Sequence, residues 1–326
     1  MSVKSYGFAV GNLRARENSL LKQSDLSQLL SANNVEKLGN MLRDKGVGDN
    51  VGDKDPLQLI KSHNAALWQY LTDIAPDMAA FAPFIYENDF HNLKAVLKSV
   101  LKDRDFTNLL IIPALVDVST IEKAVTEKRF DILPPYMQLC AEEAYNILAQ
   151  TGDAQLADGV IDAACLTAQL NKARECKVGI VSDIIVVKVF YGNIKVALRG
   201  AKSGKTAEFF DKTLTETGFI PLKELKNSAL AGEEKVLELL SKVSALSGEK
   251  AAEYYKKAPW MLEKFCDDLV MSRAAYCKTV TMGIEPLIGY MCARLTEIQN
   301  LRIIYSGVKT GQAREKTEER LRELYG

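Results

Sequence analysis

The chain has 326 residues, with 42 Lys and Arg against 42 Asp and Glu. That balance lacks the basic footprint a general nucleic-acid binder needs. No stretch reaches the ~18 consecutive apolar residues of a membrane-crossing helix. The most apolar stretch, Val178 to Val189, is interrupted by Asp183 and Lys188.

The N-terminus, Met1 to Val10, is too short and too weakly apolar for a signal peptide. The six cysteines, at 140, 165, 176, 266, 277 and 292, contain no Cys-x-x-Cys pair. They are expected to be reduced and mostly buried. Helical periodicity starts with Leu26, Leu29 and Leu30. Asp44 to Asp55, rich in Gly and Asp, reads as a linker. Leu57, Ile60, Leu67 and Leu71 mark a helix over Pro56 to Tyr70. Ser119 and Glu122 have the spacing of a capping box. Pro134-Pro135 breaks the chain before a helix over Tyr136 to Gln150, and Gly152-Asp153 separates it from the next, Leu156 to Asn171. Gly179 to Leu198 is dominated by Ile, Val and Phe, which is strand-like chemistry. Lys226 to Glu234 reads as a second loop. Stripes at Val236, Leu239, Leu240 and at Leu262, Phe265, Leu269 mark further helices, the latter within Trp260 to Tyr276. Ile284 to Ile304 is helical, with Pro286 in its first turn. Gln312 to Tyr325 is charged but balanced, with Glu318 and Arg322 in favourable order for an i,i+4 pair. It reads as a solvated helix end or a docking helix.

One short phrase recurs about every hundred residues: His91-Asn92-Leu93-Lys94, Gly192-Asn193-Ile194-Lys195 and Gln299-Asn300-Leu301-Arg302. Asn12-Leu13-Arg14 matches off-period, so the weight lies on an extension shared by the last two copies. There Gly200-Ala201-Lys202-Ser203-Gly204 aligns with Gly307-Val308-Lys309-Thr310-Gly311. Repeats of fixed period mark stacked or ring-arranged copies of one unit. The expected fold is all-α, a funnel-shaped pseudo-threefold assembly of three similar helical units at 1–110, 111–210 and 211–326. Equivalent positions share a conformation, so the helix over Ile284 to Ile304 makes Gly179 to Leu198 helical too.

Candidate chemistry is sparse. Gly200 to Thr206 misses a phosphate-binding loop by one residue, because Arg199 stands where the first Gly belongs, and a strand should precede such a loop. A Gly-rich turn ending a helix explains it better. His63 and His91 lack metal-ligand spacing. Asp89 and Glu297 sit three residues before their Asn, but Phe190 holds that place in the second copy, which argues against a catalytic pair. The Asn-aliphatic-basic phrase has two readings. Each Asn satisfies a neighbouring backbone group, or Asn and cation face a polar central cavity that receives a partner. The candidate partner-binding residues are Asn92, Lys94, Asn193, Lys195, Asn300, Arg302, Asp89 and Glu297. No catalytic residue, cofactor, metal or small-molecule substrate is expected.

Gly283-Ile284-Glu285-Pro286-Leu287-Ile288-Gly289-Tyr290 through Glu297, Asn300 to Ile304 and Gly307 to Gly311 resembles the C subunit of bacterial and archaeal vacuolar-type rotary ATPases, the relative of the eukaryotic d subunit. Tyr6, Ala9, Arg14 to Glu17 and Leu20-Leu21 are similar to that family's opening helix. Tyr86 to Asp89 with Asn92 to Lys94 is similar to its central pattern. The resemblance implies a funnel of three three-helix units on the cytoplasmic face of the membrane proteolipid ring. Its open end would receive central-stalk subunits D and F, and it would transmit torque without chemistry of its own. The first unit departs from the pattern, with Ser99 to Asp103 where the others have a glycine-flanked turn. A helical adaptor in another complex and an all-helical enzyme are the rival readings.

Overall fold

Sixteen α-helices follow one another in the computed structural model, which describes residues 5–48, 52, 55–101 and 105–325. They are α1 (Tyr6–Glu17), α2 (Gln23–Leu29), α3 (Val35–Asp44), α4 (Pro56–Ile74), α5 (Ala82–Leu101), α6 (Val118–Thr126), α7 (Pro135–Thr151), α8 (Ala154–Cys176), α9 (Gly179–Lys202), α10 (Ala207–Thr213), α11 (Leu222–Ala231), α12 (Glu233–Ser241), α13 (Gly248–Lys257), α14 (Pro259–Ala275), α15 (Glu285–Thr310) and α16 (Arg314–Glu318). No strand occurs among the described residues, and none of their helices is long and apolar enough to cross a membrane. The chain forms two compact units. Unit one joins Met1–Met78 to Lys257–Gly326, and unit two is Ala79–Lys256.

In unit one, α15 is the axis. Leu287, Ile288, Met291, Ala293, Ile298, Leu301 and Ile304 are all buried on it, against α4, α1, α3 and α14. Each large apolar side chain among them contributes roughly 1.5–3 kcal/mol relative to exposure. Pro56 and Pro286 stand in the first turns of α4 and α15, where no backbone N–H is needed. Arg14 ties α1 to the turn before α15. Its Nη2 reaches the carbonyls of Cys277, Lys278 and Val280 at 3.3, 3.1 and 2.7 Å.

In unit two the corresponding axis is α9. Its run of Ile184, Ile185, Val187, Val189, Phe190 and Tyr191 is buried almost completely. The segment is helical despite strand-like composition because α8, α10, α11 and α12 surround it. Burial on every side overrides the weak intrinsic preference of β-branched residues. The Gly152-Asp153 break has the expected form. Gly152 takes a left-handed conformation (φ 69°), and Asp153 accepts the N–H groups of Gln155 and Leu156.

Four expectations are corrected. Lys226 to Glu234 is not a loop. Lys226 to Ala231 continues α11, and Gly232 alone (φ 120°) turns the chain into α12. Asp117, not Ser119, precedes the first turn of α6, and Ser119 lies inside the helix. Arg322 pairs with Asp267 at 2.8 Å rather than with Glu318, whose contact is Arg314. The segment Gln312 to Tyr325 is helical only over α16 and then runs irregularly, with Leu321 and Tyr325 buried. The expected linker at Asp44 to Asp55 lies largely outside the described residues, as do Lys102 and Asp103 of the first copy's divergent turn.

Candidate functional site

The three repeated asparagines lie mid-helix on α5, α9 and α15 and are buried. A helix spends its backbone groups on itself, so a non-helical segment crossing it finds no backbone partner there. Asn supplies one. Its amide carries a donor and an acceptor together, and so pairs with the N–H and C=O of a single peptide residue. Asn92 Nδ2 donates to the Ile111 carbonyl (3.0 Å), and Ile111 N–H returns to Asn92 Oδ1 (2.8 Å). Asn193 does the same with Thr215, at 2.9 and 2.8 Å. Asn300 does it with Arg322, at 3.0 and 2.8 Å. The clamped residue lies 19, 22 and 22 positions downstream. An ionised Asp could not donate, and a longer or apolar side chain could not make both bonds in the same place.

The glycine extension has an equally local geometry. A Cβ on Gly200 would meet Phe210 Cε1 at 2.5 Å, and one on Gly307 would meet Thr317 Oγ1 at 2.5 Å. The missing side chain lets the following short helix lie against its long helix. Gly204 and Gly311 then end α9 and α15 in the left-handed region. Lys205 and Gln312 donate their N–H back to Gly200 and Gly307 at 3.0 and 2.9 Å, the usual helix-terminating pattern. The Gly200 to Thr206 segment is therefore the last turn of a helix and the turn that ends it, and the Thr206 hydroxyl caps α10.

The two carboxylates flanking the asparagines are buried. Asp89 Oδ1 accepts from Leu115 and Val116 N–H at 2.8 and 3.2 Å. Burial pushes its pKa up to about 6, against the pull of those N–H groups. Asn88 and His91 bond to the carbonyls of Pro113 and Leu109. Four side chains of α5, at 88, 89, 91 and 92, thus hold the backbone of 109–116. Glu297 Oε1 accepts from Leu21 N–H (2.6 Å) and its Oε2 pairs with Arg294 (2.8 Å). Burial raises it to about 7, with Arg294 and the Leu21 N–H opposing.

The cations differ from copy to copy. Lys94 pairs with Asp162 at 2.7 Å. Lys195 is half-buried and Arg302 exposed, and among the described residues neither makes an ion pair. No group of three or more His, Cys, Asp or Glu suited to a metal occurs among the described residues. Sequence reasoning missed Arg294, which is buried and bonded through all three guanidinium nitrogens: to Tyr290 OH, Glu297 and Ser19 Oγ. Its position three before Glu297 was the available signal.

A family model described as ATP synthase (C/AC39) subunit matches residues 9–320, and the chain belongs to that family. It is 21% identical to the C subunit of the V-type sodium ATPase of Enterococcus hirae, over 96% of this chain and 97% of that protein. It is 26% identical to the C subunit of the A-type ATP synthase of Methanocaldococcus jannaschii, over 93% of this chain and 82% of the relative. The corresponding A-type ATP synthase subunit of Methanobrevibacter smithii is also 26% identical, over 90% and 81%.

Proposed function

We propose that this chain is a non-catalytic socket subunit of a V/A-type rotary ATPase. It couples the central stalk, subunits D and F, to the membrane proteolipid ring at the cytoplasmic face. The coupled process is ATP-driven ion transport or ion-driven ATP synthesis. The observation that carries this reading is the family match over residues 9–320, with relatives that are the C subunits of such complexes along most of their length. A part that passes torque has to be stiff, and the buried asparagine clamps supply stiffness in both compact units.

Within the repeated phrase the cations meet the stalk. Lys195 and Arg302 make no ion pair among the described residues, while Lys94 acts from its pair with Asp162. Asn92, Asn193, Asn300, Asp89 and Glu297 shape the surface from beneath. Such charges steer and register a partner more than they add affinity. The test is assembly. Co-expression with stalk and proteolipid subunits should yield one complex containing this chain. Capture of an unrelated complex instead would favour the adaptor reading. Lys195→Glu and Arg302→Glu should fold normally yet weaken stalk association, most at low ionic strength. Lys94→Glu should add to this while placing like charge beside Asp162. Normal assembly and ion pumping in the triple variant would remove these cations from the interface.

A further inference from the structure

Unit one contains a cavity of about 430 Å³ between α1, α4, α15 and the turn after α3, within the size range of small-molecule sites. Its walls include Arg16, Lys45, Ser62, His63, Tyr70 and Arg294, and among the described residues no carboxylate lines it. The carboxylates that balance Lys45 and Arg294 stand behind the wall. Asp25 binds Lys45 at 2.6 Å, and Glu297 binds Arg294 at 2.8 Å. Arg16 has no such balance. Its guanidinium lies over the Tyr70 ring, 4.3 Å from the centroid, and among the described residues it has no carboxylate partner.

His63 Nε2 is the second observation. That atom is buried and, among the described residues, has no hydrogen-bond partner. A buried polar atom left unpaired is rare in folded proteins and calls for an explanation. Burial, Arg294 and Arg16 hold the imidazole pKa down at about 4, so the ring is neutral at pH 7. Arg294 is itself almost wholly buried. Three of its five N–H donors are used within the chain.

We propose that this cavity binds a small multivalent oxyanion, a phosphate or polycarboxylate compound, gripped by the Arg16 and Arg294 guanidinium groups, with the neutral His63 ring in its wall. Planar guanidinium forks match the oxygen spacing of phosphate and carboxylate groups and bind them bidentately. Lys45 and Ser62 complete the polar wall. The site is separate from the repeated cations assigned to the stalk, so its test is independent of that reading.

The chain has only two histidines, which makes the experiment clean. Imidazole NMR signals of the full chain are followed while inorganic phosphate, pyrophosphate or citrate is added in turn. His63 signals should shift saturably with at least one probe at millimolar or lower concentration. His91, bonded to the Leu109 carbonyl in unit two, should stay still. The probe that saturates first distinguishes phosphate from carboxylate chemistry. Arg16→Gln should weaken binding at least about tenfold and Arg16→Lys by less, because the charge survives but the fork does not. Arg16 is exposed, so both variants should fold. The proposal is overturned if no probe saturates, if both imidazoles shift alike, or if Arg16→Gln leaves affinity unchanged.

Discussion

The strap at residues 109–116 and the tail at 319–325 are held by the same device in opposite surroundings. Asn92 clamps the strap and Asn300 clamps the tail with near-identical bond lengths. In the strap most apolar side chains face outward, with Ile112 63% and Leu115 52% exposed, while Val116 at its end is buried. In the tail Leu321 and Tyr325 are buried, and Asp268 also accepts from Glu323 N–H at 2.8 Å. Polar side chains of α5 dominate the position of the strap, whereas hydrogen bonding and apolar burial act together on the tail. The clamp is thus a positioning device whose energetic weight depends on what else the clamped segment buries.

Replacing each asparagine by leucine separates the two cases. Asn300→Leu strands the N–H and C=O of Arg322 in a segment that cannot swing outward without exposing Leu321 and Tyr325. Global stability should fall by about 2–4 kcal/mol in a denaturant titration. Asn92→Leu should instead loosen the strap locally around Ile111, with Asn88, Asp89 and His91 still holding its flanks. Amide exchange at Ile111 should then speed up roughly 10- to 100-fold, with Leu115, bonded to Asp89, changing less, while the midpoint of global unfolding moves little. Equal global losses in the two variants would break the distinction.

The glycines sharpen it next. Gly200→Ala pushes a methyl against the buried Phe210 ring and should cost about 1–3 kcal/mol in thermal or denaturant unfolding. Gly307→Ala meets the buried Thr317 side chain and should cost a comparable amount. The smallest effect concerns pH. The folded-state pKa of Asp89 is raised to about 6, so the fold favours its protonated form. The stability it contributes is full below the unfolded carboxylate value, near 4, and is lost as pH rises through about 6. Asp89→Asn keeps the acceptor for Leu115 and Val116 and removes the titration. The stability difference between parent and variant should change by on the order of 1–2 kcal/mol between pH 4 and 7, with the parent losing ground. A pH-independent difference would show that Asp89 titrates normally.

Much of the fold was legible because long helices carry redundant signals. The stripe Leu57, Ile60, Leu67, Leu71 located α4, and the proline of α15 fixed the conformation of α9 through the repeat. Short-range punctuation was less legible. Lys226 to Ala231 reads as a loop by composition, yet its Lys, Leu and Ala are good helix formers, and one glycine with positive φ makes the whole turn. The repeated asparagines were visible, and a backbone partner was one of two readings. The identity of that partner was not visible, because a clamped segment some twenty residues downstream needs no side-chain pattern of its own. The cavity around His63 was hidden for a related reason. Arg16, His63 and Arg294 come from three distant stretches, and only their convergence gives them meaning.

Arg14 reaches across 263 to 266 positions of sequence to the carbonyls that precede α15. The first four helices therefore cannot complete their core until the last stretch of chain exists. On a ribosome adding about 5–20 residues per second, the intervening Ala79–Lys256 takes on the order of 10–35 s to emerge. During that wait the apolar faces of α1, α3 and α4 have no α15 to cover them, while unit two, continuous in sequence, can close on its own. Newly made chain is thus most exposed to aggregation and proteolysis at its oldest end.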